Sequence, residues 1–239
     1  MIALVRLVVL FFLILLVTAG GLIMCLFLGR SKDRVYFIAK AFAPVARLFG
    51  LRVQKHVSYK TLDVKQGVYI ANHQNNFDLF TFSHVVPHST VTVGKSSLKW
   101  LPFFGWLYWA TGNFLIQRND RHKAIATIDQ IVEQMGDTGL SIWMFPEGTR
   151  SRGRGWLPFK RGAFYAAIQA GVPIIPVVCS STHNKVKLNR FDNGHAKVEV
   201  MDPIYTDGLT EQDIPQLVSR CEALMQAKQQ ELDDELALL

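Results

Sequence analysis

A short polar segment, Ala71-Asn72-His73-Gln74-Asn75-Asn76-Phe77-Asp78, contains a histidine and an aspartate that could act together as a general base. On one continuous helix, at about 100° per residue, His73 and Asp78 would point roughly 140° apart and could not pair well. If His73 lies in a loop and Asn76 caps a helix whose first turn holds Asp78, the loop can fold the imidazole onto the carboxylate. An ionised carboxylate on one ring nitrogen fixes the tautomer and leaves the other nitrogen free to take a proton. The spacing therefore predicts a general-base pair, with a structural histidine beside a capping aspartate as the alternative.

The sequence gives this base no nucleophile of its own. It has no Gly-x-Ser-x-Gly motif, and none of the three cysteines, Cys25, Cys179 and Cys221, lies in a comparable motif. A base without a protein nucleophile would activate a hydroxyl group that the substrate brings. The odd number and wide spacing of the cysteines also indicate neither a disulfide framework nor a thiolate metal site.

A second polar segment, Phe145-Pro146-Glu147-Gly148-Thr149-Arg150, follows an apolar run and leads into a basic stretch that ends at Arg161. Strand ends are where open α/β sheets usually bind ligands. Arginine forks, together with backbone donors that the glycines permit, suit a phosphate monoester. A nucleic-acid patch is one alternative, although aromatic residues are not regularly interleaved here, and solvated surface charge is the other.

Two further segments indicate strands. In Gly112-Asn113-Phe114-Leu115-Ile116-Gln117-Arg118, alternation puts Arg118 on the same side as Phe114 and Ile116. An arginine at the rim of an apolar face needs an anionic partner. The segment Val172 to Val177 contains two prolines, which alone indicate only a sheet edge or a strand start.

These segments need a framework, and the pattern beyond residue 60 predicts an α/β sheet wrapped by helices. No internal repeat or linker divides this part of the chain. The predicted strands are Gly67–Ala71, Thr90–Gly94, Asn113–Gln117, Ser141–Phe145, Ile174–Cys179 and Lys197–Val200. The predicted helices are Phe77–Val86, Ser97–Leu107, Arg121–Met135, Gly162–Ala170 and Ile214–Leu239.

The N-terminal region is too apolar to belong to a soluble core. No charged residue occurs from Leu7 to Gly29, and as a helix this run would be about 35 Å long, enough to cross a hydrocarbon core of roughly 30 Å. A cleaved signal peptide is the alternative, but the apolar run continues past the small residues at 18–21. Gly20-Gly21 could also divide the run into two half-helices that dip into one leaflet, so spanning and re-entrant arrangements both remain open.

Basic residues follow this apolar run. Arg30, Lys32 and Arg34 lie on its C-terminal side, whereas Arg6 and the amino terminus mark the other side. The positive-inside bias therefore predicts an external N-terminus and a cytoplasmic main domain. From Val35 to Val53 the pattern predicts an amphipathic helix, kinked before Pro44, that lies in the headgroup region or packs on the main domain. We expect an anchoring region over residues 1–55 and a catalytic domain over residues 56–239.

Composition narrows the class of protein. The chain has 239 residues, of which 49% are hydrophobic and 19% charged, which excludes disordered, collagen-like and coiled-coil classes. The net charge of +7 suits work beside anionic lipid or anionic substrates, and nucleic acid is the other partner that a basic balance allows.

Taken in order, the four blocks that contain His73, Arg118, Glu147 and Val172 resemble the glycerolipid acyltransferase family, most closely the bacterial 1-acyl-sn-glycerol-3-phosphate acyltransferases. The likeness covers nearly the whole chain, including the apolar N-terminus. One departure is visible, because relatives often read Ile-Asp-Arg in the second block whereas Gln117 precedes the arginine here.

The resemblance implies roles for particular residues. His73 and Asp78 would be the catalytic dyad. Lys95, in Gly94-Lys95-Ser96-Ser97, is a candidate for stabilising the thioester oxyanion, and Val172 to Val177 would help to shape the acyl-donor site. The glycerol phosphate would be bound by Arg118, Glu147, Gly148, Thr149 and Arg150.

The resemblance also implies a fold, a reaction and a location. The fold would be a mixed, largely parallel sheet flanked by helices, with an N-terminal membrane helix or helical hairpin. The reaction would move an acyl group from acyl-CoA or acyl carrier protein to the sn-2 hydroxyl of lysophosphatidic acid, giving phosphatidic acid. We expect no metal, no cofactor, no acyl-enzyme and no nucleic-acid partner. Membrane phospholipid would be a further partner, at the cytoplasmic face of the bacterial inner membrane.

Three other functions fit parts of the same pattern. A sister acyltransferase for glycerol 3-phosphate or another lysophospholipid would keep the dyad and differ in its acceptor pocket. A membrane-associated lipid-binding protein would need no working base. A phosphohydrolase would use histidine and arginine for phosphate chemistry instead.

Overall fold

The sheet at the centre of the molecule accounts for most of the architecture. The structure is a computed structural model that describes residues 1–27, 29 and 31–238. Within these residues seven strands form one sheet, in the spatial order β1-β7-β6-β2-β5-β3-β4. Their bounds are β1 (Arg52–Val57), β2 (Val68–Ala71), β3 (Thr90–Lys95), β4 (Phe114–Ile116), β5 (Ser141–Met144), β6 (Ile174–Cys179) and β7 (His195–Val200).

Most neighbouring strands run parallel, as predicted. The β6–β7 pair is antiparallel, whereas β2 pairs in parallel with both β5 and β6, and β3 pairs in parallel with β4 and β5. Tyr69 of β2 lies opposite Trp143 of β5 on one side and Ile175 of β6 on the other. Because β2, β5, β3 and β4 are parallel, their carboxyl ends meet at one edge of the sheet. The polar segments singled out in the sequence follow these ends.

Helices surround the sheet. Their bounds are α1 (Ile2–Phe27), α2 (Arg34–Phe42), α3 (Val45–Leu48), α4 (Tyr59–Leu62), α5 (Asp78–Phe82), α6 (Phe104–Ala110), α7 (Arg121–Thr138), α8 (Gly162–Ala170) and α9 (Ile214–Ala237). Two 3-10 helices cover Ser96–Trp100 and Glu211–Asp213. Local signals set the ends of α7, since the Asp120 side chain accepts a hydrogen bond from the Lys123 amide and Gly139 ends the helix with a φ of 67°.

Three predicted helices are wrong in part. The helix predicted over Phe77–Val86 is shortened to α5, which ends at Phe82. The helix predicted from Val35 to Val53 does break before Pro44, between α2 and α3, but it ends earlier than predicted, because the chain turns at Gly50, where φ is 67°, and enters β1. The predicted helix from Ser97 to Leu107 is broken into a 3-10 helix and α6. Proline at position 102 favours extended backbone in the residue before it, and Leu101 has a ψ of 119°.

The edge strand β1 was not predicted. Most of its side chains are exposed, so it lacks the apolar alternation that marks a half-buried strand. A backbone ladder with β7, which pairs Arg52 with His195 and Val57 with Val200, holds it in place. The predicted boundary between residues 55 and 56 falls inside this strand.

The apolar helix α1 lies against the rest of the molecule. It is continuous through Gly20 and Gly21, and among the described residues it alone is long and apolar enough to cross a bilayer. Near its start, the buried Arg6 guanidinium donates to the carbonyl oxygens of Leu188 at 2.8 Å and Phe191 at 3.0 Å. Near its end, a β-carbon on Gly21 would lie only 2.7 Å from Leu107 Cδ1, so glycine permits the close approach to α6. The predicted basic residue Arg30 lies outside the described residues.

Two apolar clusters form the interior. The larger one lies between the sheet and the flanking helices α7, α8 and α9. The smaller one joins α1, α2, α3 and α5, and there the rings of Phe49 and Phe80 stack with centroids 5.7 Å apart. Since Phe80 lies in the helix that begins at Asp78, this cluster connects the N-terminal region to the polar segment after β2.

Candidate active site

The loop after β2 brings His73 and Asp78 together. His73 Nδ1 lies 2.7 Å from Asp78 Oδ2, and the same oxygen accepts hydrogen bonds from the backbone amides of Gln74 at 2.7 Å and Asn75 at 3.0 Å. The loop therefore folds the imidazole back onto the first residue of α5, as the spacing requires. The predicted cap is wrong in detail, because Asn75, not Asn76, accepts the Phe77 amide at 2.8 Å.

The surroundings of the dyad hold the imidazole in one orientation. The Asp78 side chain is almost fully buried, whereas the His73 side chain keeps 15% of its surface exposed. The ring stacks on Phe145, with centroids 4.0 Å apart and planes 18° apart. Within the described chain, the ring makes only the hydrogen bond to Asp78, so Nε2 has no hydrogen-bond partner. This arrangement can remove a proton from a bound hydroxyl group.

The Glu147 side chain holds the loop that contains His73 through hydrogen bonds to the backbone. Its Oε1 accepts a hydrogen bond from the His73 backbone amide at 2.6 Å, and its Oε2 accepts one from the Leu157 amide at 3.2 Å. Burial raises the pKa of Glu147 to about 7, although both amides and the positive charge of Arg154 oppose the rise. The carboxylate thus points toward backbone donors in the protein interior. Its predicted contact with substrate stays a prediction.

Backbone hydrogen bonds also join the two polar loops. The Ser151 amide donates to the His73 carbonyl at 2.7 Å, and the Arg152 amide donates to the Gln74 carbonyl at 2.9 Å. The loop after β5 therefore continues the strand pairing of β2 and β5 beyond the sheet. This pairing fixes the distance between the dyad and the basic segment.

Two guanidinium groups lie close together at this sheet edge. The Arg118 guanidinium donates to the Gly148 carbonyl, and burial and the positive charge of Arg150 both lower the Arg118 pKa. The Arg150 Nε is buried and has no hydrogen-bond partner. In the part of the chain that the structure describes, neither side chain forms an ion pair with a carboxylate. An anion would relieve this unbalanced positive charge.

The remaining predicted substrate residues take different positions. Gly148 is buried with a φ of 72°, and a β-carbon there would lie 2.9 Å from Lys160 Cε. Thr149 is exposed. Lys95 ends β3 with its side chain exposed and pairs in register with Ile116 of β4. Val172 to Val177 enters the buried strand β6, and its role at a donor site stays a prediction.

A cavity of about 620 Å³ lies beside the site. Phe145, which stacks on the His73 ring, forms part of its wall. Arg118, Gly148 and Lys160 supply polar lining. The apolar lining comes from Val93, Ile116, Ala124, Ile125, Ile128, Met144, Ala163 and Ile214. A cavity that combines cations with an apolar wall suits an anionic amphiphile.

Sequence reasoning missed a set of buried amides that fix the base of the loop. The Asn72 side chain exchanges two hydrogen bonds of 2.9 Å with the backbone of Cys179. Gln74 donates to the Ser180 carbonyl and accepts from the Thr182 amide, each at 2.8 Å. These contacts tie the end of β2 to the end of β6. The sequence does contain a signal for this role, since the two amide side chains, Asn72 and Gln74, flank His73 directly.

The comparisons with known proteins show the family of the chain. A model of the acyltransferase family matches residues 51–180, which include His73, Asp78, Arg118 and Arg150. The chain belongs to the acyltransferase family. It is therefore an acyltransferase enzyme, and the predicted resemblance is confirmed.

Two bacterial relatives and one human relative illustrate the match. The 1-acyl-sn-glycerol-3-phosphate acyltransferase of Haemophilus influenzae is 51% identical over 208 residues, which cover 87% of each chain. The enzyme of the same name from Escherichia coli is 50% identical over 223 residues, covering 93% of this chain and 91% of the relative. Human 1-acyl-sn-glycerol-3-phosphate acyltransferase alpha is 33% identical over 198 residues, covering 82% of this chain and 70% of the relative.

A solved structure has the same fold. The crystal structure of the 1-acyl-sn-glycerophosphate acyltransferase from Thermotoga maritima superposes with a TM-score of 0.76. The match covers 97% of this chain and 94% of that one at 20% sequence identity. At this identity the likeness shows the fold, which is a mostly parallel sheet flanked by helices.

Proposed function

We propose that this enzyme transfers an acyl group to the sn-2 hydroxyl of 1-acyl-sn-glycerol 3-phosphate and so forms phosphatidic acid for phospholipid biosynthesis. The observation that carries the proposal is the His73–Asp78 pair beside the guanidinium groups of Arg118 and Arg150. The first group can activate a hydroxyl and the second can hold a phosphate, and lysophosphatidic acid carries both. Relatives about 50% identical have the matching name.

In the proposed reaction the acyl group passes directly from the donor to the acceptor. His73 Nε2 takes the proton from the sn-2 hydroxyl group while the hydroxyl oxygen attacks the thioester carbonyl carbon of the donor. The carbon–sulfur bond then breaks, and the leaving thiolate recovers a proton from the imidazolium. Asp78 holds the ring and stabilises its positive charge throughout.

No acyl-enzyme is needed in this scheme. Cys179 and Cys221 are buried, and burial raises the pKa of both thiols, so neither is an accessible thiolate. The scheme also needs no metal or cofactor. Lys95, or backbone amides near it, would meet the oxyanion that develops on the thioester oxygen.

The substrates would be placed by charge and apolar lining. Arg118 and Arg150 would bind the phosphate of the acceptor, and the cavity of about 620 Å³ would receive an acyl chain. The donor is acyl-CoA or acyl carrier protein. Both are anionic, and the basic stretch from Arg152 to Arg161 suits either one.

The apolar helix α1 indicates membrane association, and its contacts favour an arrangement within one leaflet. A perpendicular span would carry Arg6 roughly 30 Å from the main domain, yet Arg6 and Gly21 both pack against it. We therefore replace the expected external N-terminus with a helix that stays within one leaflet, beside the main domain. The membrane would be the bacterial inner membrane, with the catalytic domain on its cytoplasmic face.

The test is an assay of detergent-purified protein with lysophosphatidic acid and a long-chain acyl-CoA. Thiol and phosphatidic acid should appear together, and His73→Ala should lower turnover by about 10²- to 10⁴-fold. His56→Ala, in the exposed edge strand β1, is the matched control and should remain active. Thiol release without phosphatidic acid would indicate hydrolysis or another acceptor, and full activity in folded His73→Ala would overturn the proposed base.

A further inference from the structure

A group of exposed aromatic and apolar side chains lies between β3 and β4, and the proposed reaction does not use it. The exposed fractions are 77% for Trp100, 48% for Leu101, 43% for Phe103, 59% for Trp106 and 75% for Trp109. We call these five residues the aromatic platform. Single exposed apolar residues are normal, but a concentration of them in one short segment marks an interaction surface.

Helix α6 has an outward aromatic face, which belongs to the platform, and an inward apolar face. Trp106 and Trp109 are three residues apart on α6 and therefore share a face. The Phe103 ring meets the Trp106 ring edge-on, with centroids 5.6 Å apart. Leu107, in the same helix, is instead buried against Gly21 of α1. The exposed aromatic face is thus separate from the face that packs within the molecule.

We propose that the aromatic platform is a second membrane-contact surface, which inserts into the boundary between the lipid headgroups and the acyl chains. Tryptophan favours this boundary because its large ring is apolar while its N–H group can reach water or headgroups. Lys99 adds a cation, with its Nζ 4.9 Å from the Trp100 ring centroid. A lysine at this level can extend toward anionic headgroups while its methylene groups remain among apolar neighbours.

Continuity with α1 identifies the bilayer as the partner. The outward side chains of α1 include exposed Phe11, Phe12 and Leu16, whose apolar surfaces favour a lipid environment over water. Helix α6 packs directly on α1, and the Arg34 guanidinium donates to the carbonyl of Ala110 at 2.9 Å, at the end of α6. A bilayer that covers the outward face of α1 therefore lies next to the platform as well.

The platform is also joined to the reaction site. It starts in the 3-10 helix that directly follows Lys95, and the strand after it leads to Arg118. The turn between its two helices is strained, because Phe103 has a φ of 63°, which a bulky side chain seldom adopts. Insertion of this segment would hold the carboxyl edge of the sheet against the surface where lysophosphatidic acid resides. This last consequence rests on the proposed function, whereas the membrane contact does not.

Tryptophan quenching tests the contact directly. The full chain with Trp143→Phe and Trp156→Phe keeps only the three platform tryptophans as emitters. It would be bound to vesicles of phosphatidylethanolamine and phosphatidylglycerol whose acyl chains carry bromine at shallow or deep positions. Shallow bromines should quench the emission at least twice as strongly as deep ones. Lack of quenching in vesicle-bound protein would overturn the proposal.

A second variant keeps the test decisive if the double phenylalanine variant does not fold. Trp106→Ser with Trp109→Ser, in the otherwise unchanged chain, should lose most of the shallow quenching that the unaltered chain shows. The matched control is Tyr59→Ser with Leu62→Ser, which removes two exposed apolar side chains from α4 at the opposite edge of the sheet. Equal loss of quenching in both pairs would also overturn the proposal.

Activity gives an independent readout. Trp106→Ser with Trp109→Ser should lower turnover of vesicle-borne lysophosphatidic acid about tenfold and leave turnover of a short-chain, water-soluble acceptor unchanged. If the unaltered chain transfers no acyl group, the proposed function fails while the quenching experiment still decides the membrane contact. A change from dimer to monomer in the serine variant, with unquenched emission, would assign the surface to a second copy instead and overturn the proposal.

Discussion

The Glu147 carboxylate accepts a hydrogen bond of 2.6 Å from the backbone amide of His73, so the two polar loops meet through a buried charge and a main-chain donor. The same carboxylate accepts the Leu157 amide through its other oxygen. Glu147 therefore contacts the proposed base through the backbone of His73. We regard it as a positioning residue for His73.

Glu147→Ala should lower kcat by at least tenfold, because the His73 amide would lose its acceptor and the loop would move. Glu147→Gln should recover part of the activity, since its amide oxygen can still accept one of the two hydrogen bonds. Steady-state kinetics on both variants checks this order. Equal activity of the two variants would contradict a positioning role, and Glu133→Gln on the exposed face of α7 is the control.

The stability of the chain should depend on pH through Glu147. Its pKa is raised to about 7 in the folded chain, so between its ordinary value and pH 7 the folded state binds more protons than the unfolded state. The free energy of unfolding should therefore fall as pH rises from about 5 to 8, by on the order of 2 kcal/mol. Denaturant unfolding measured across this range should show a flatter profile for Glu147→Gln, and parallel profiles would contradict the assignment.

Removal of one guanidinium group that we propose binds phosphate should weaken use of the acceptor. Arg118→Ala should lower kcat/KM for lysophosphatidic acid about 10- to 100-fold, the loss expected for a hydrogen bond to a charged group. Arg220→Ala, on the exposed face of α9, should have no effect. Initial rates at varied acceptor concentration check this, and an unchanged kcat/KM would remove Arg118 from the phosphate site.

A larger side chain in the cavity should change the preferred chain length. Ala124 lines the cavity and is partly buried, whereas Ala126, also in α7, is exposed and does not line it. Ala124→Phe should lower turnover with long-chain acyl groups more than with short ones, because the phenyl ring occupies apolar volume. Competition between two acyl-CoA lengths measures this preference. The same change in Ala126→Phe would show that the cavity is not responsible.

The orientation of α1 can be tested with a membrane-impermeant thiol reagent. Leu4→Cys, near the start of the helix, should label from the same side as Asp207→Cys in an exposed loop of the main domain. Cys25→Ser, added to both variants, removes the partly exposed native thiol. Labelling of Leu4→Cys only from the opposite side would support a spanning helix and contradict the one-leaflet arrangement.

The parts of the fold that the sequence predicts best are those whose side chains are buried. The strand β6 and the helix α8 have the predicted bounds, because apolar residues and terminal turn signals agree there. The strand β1 is missed since exposed side chains carry no periodic pattern, and its partner β7 lies far away in the chain. Long-range backbone pairing has no local signal.

The site shows the same division. The His73–Asp78 contact follows from spacing and from the geometry of a loop that enters a helix. The inward direction of the Glu147 carboxylate does not follow from the sequence. Nothing in Glu147-Gly148-Thr149-Arg150 indicates whether the glutamate side chain faces a ligand or the backbone. The amides of Asn72 and Gln74 were visible in the sequence, but their partners lie more than a hundred residues away.

The pairing of β1 with β7 constrains the order in which the chain can fold during synthesis. Arg52, the first residue of this ladder on β1, and Asp192, just before β7, are 140 residues apart in the chain. During synthesis the apolar helix α1 leaves the ribosome before any strand of the sheet, and the edge strand β1 lacks its partner until β7 has also been made. If α1 binds the membrane as proposed, the nascent chain would reach the membrane before the sheet can be completed, and the carboxyl edge of the sheet would be assembled beside the lipid surface.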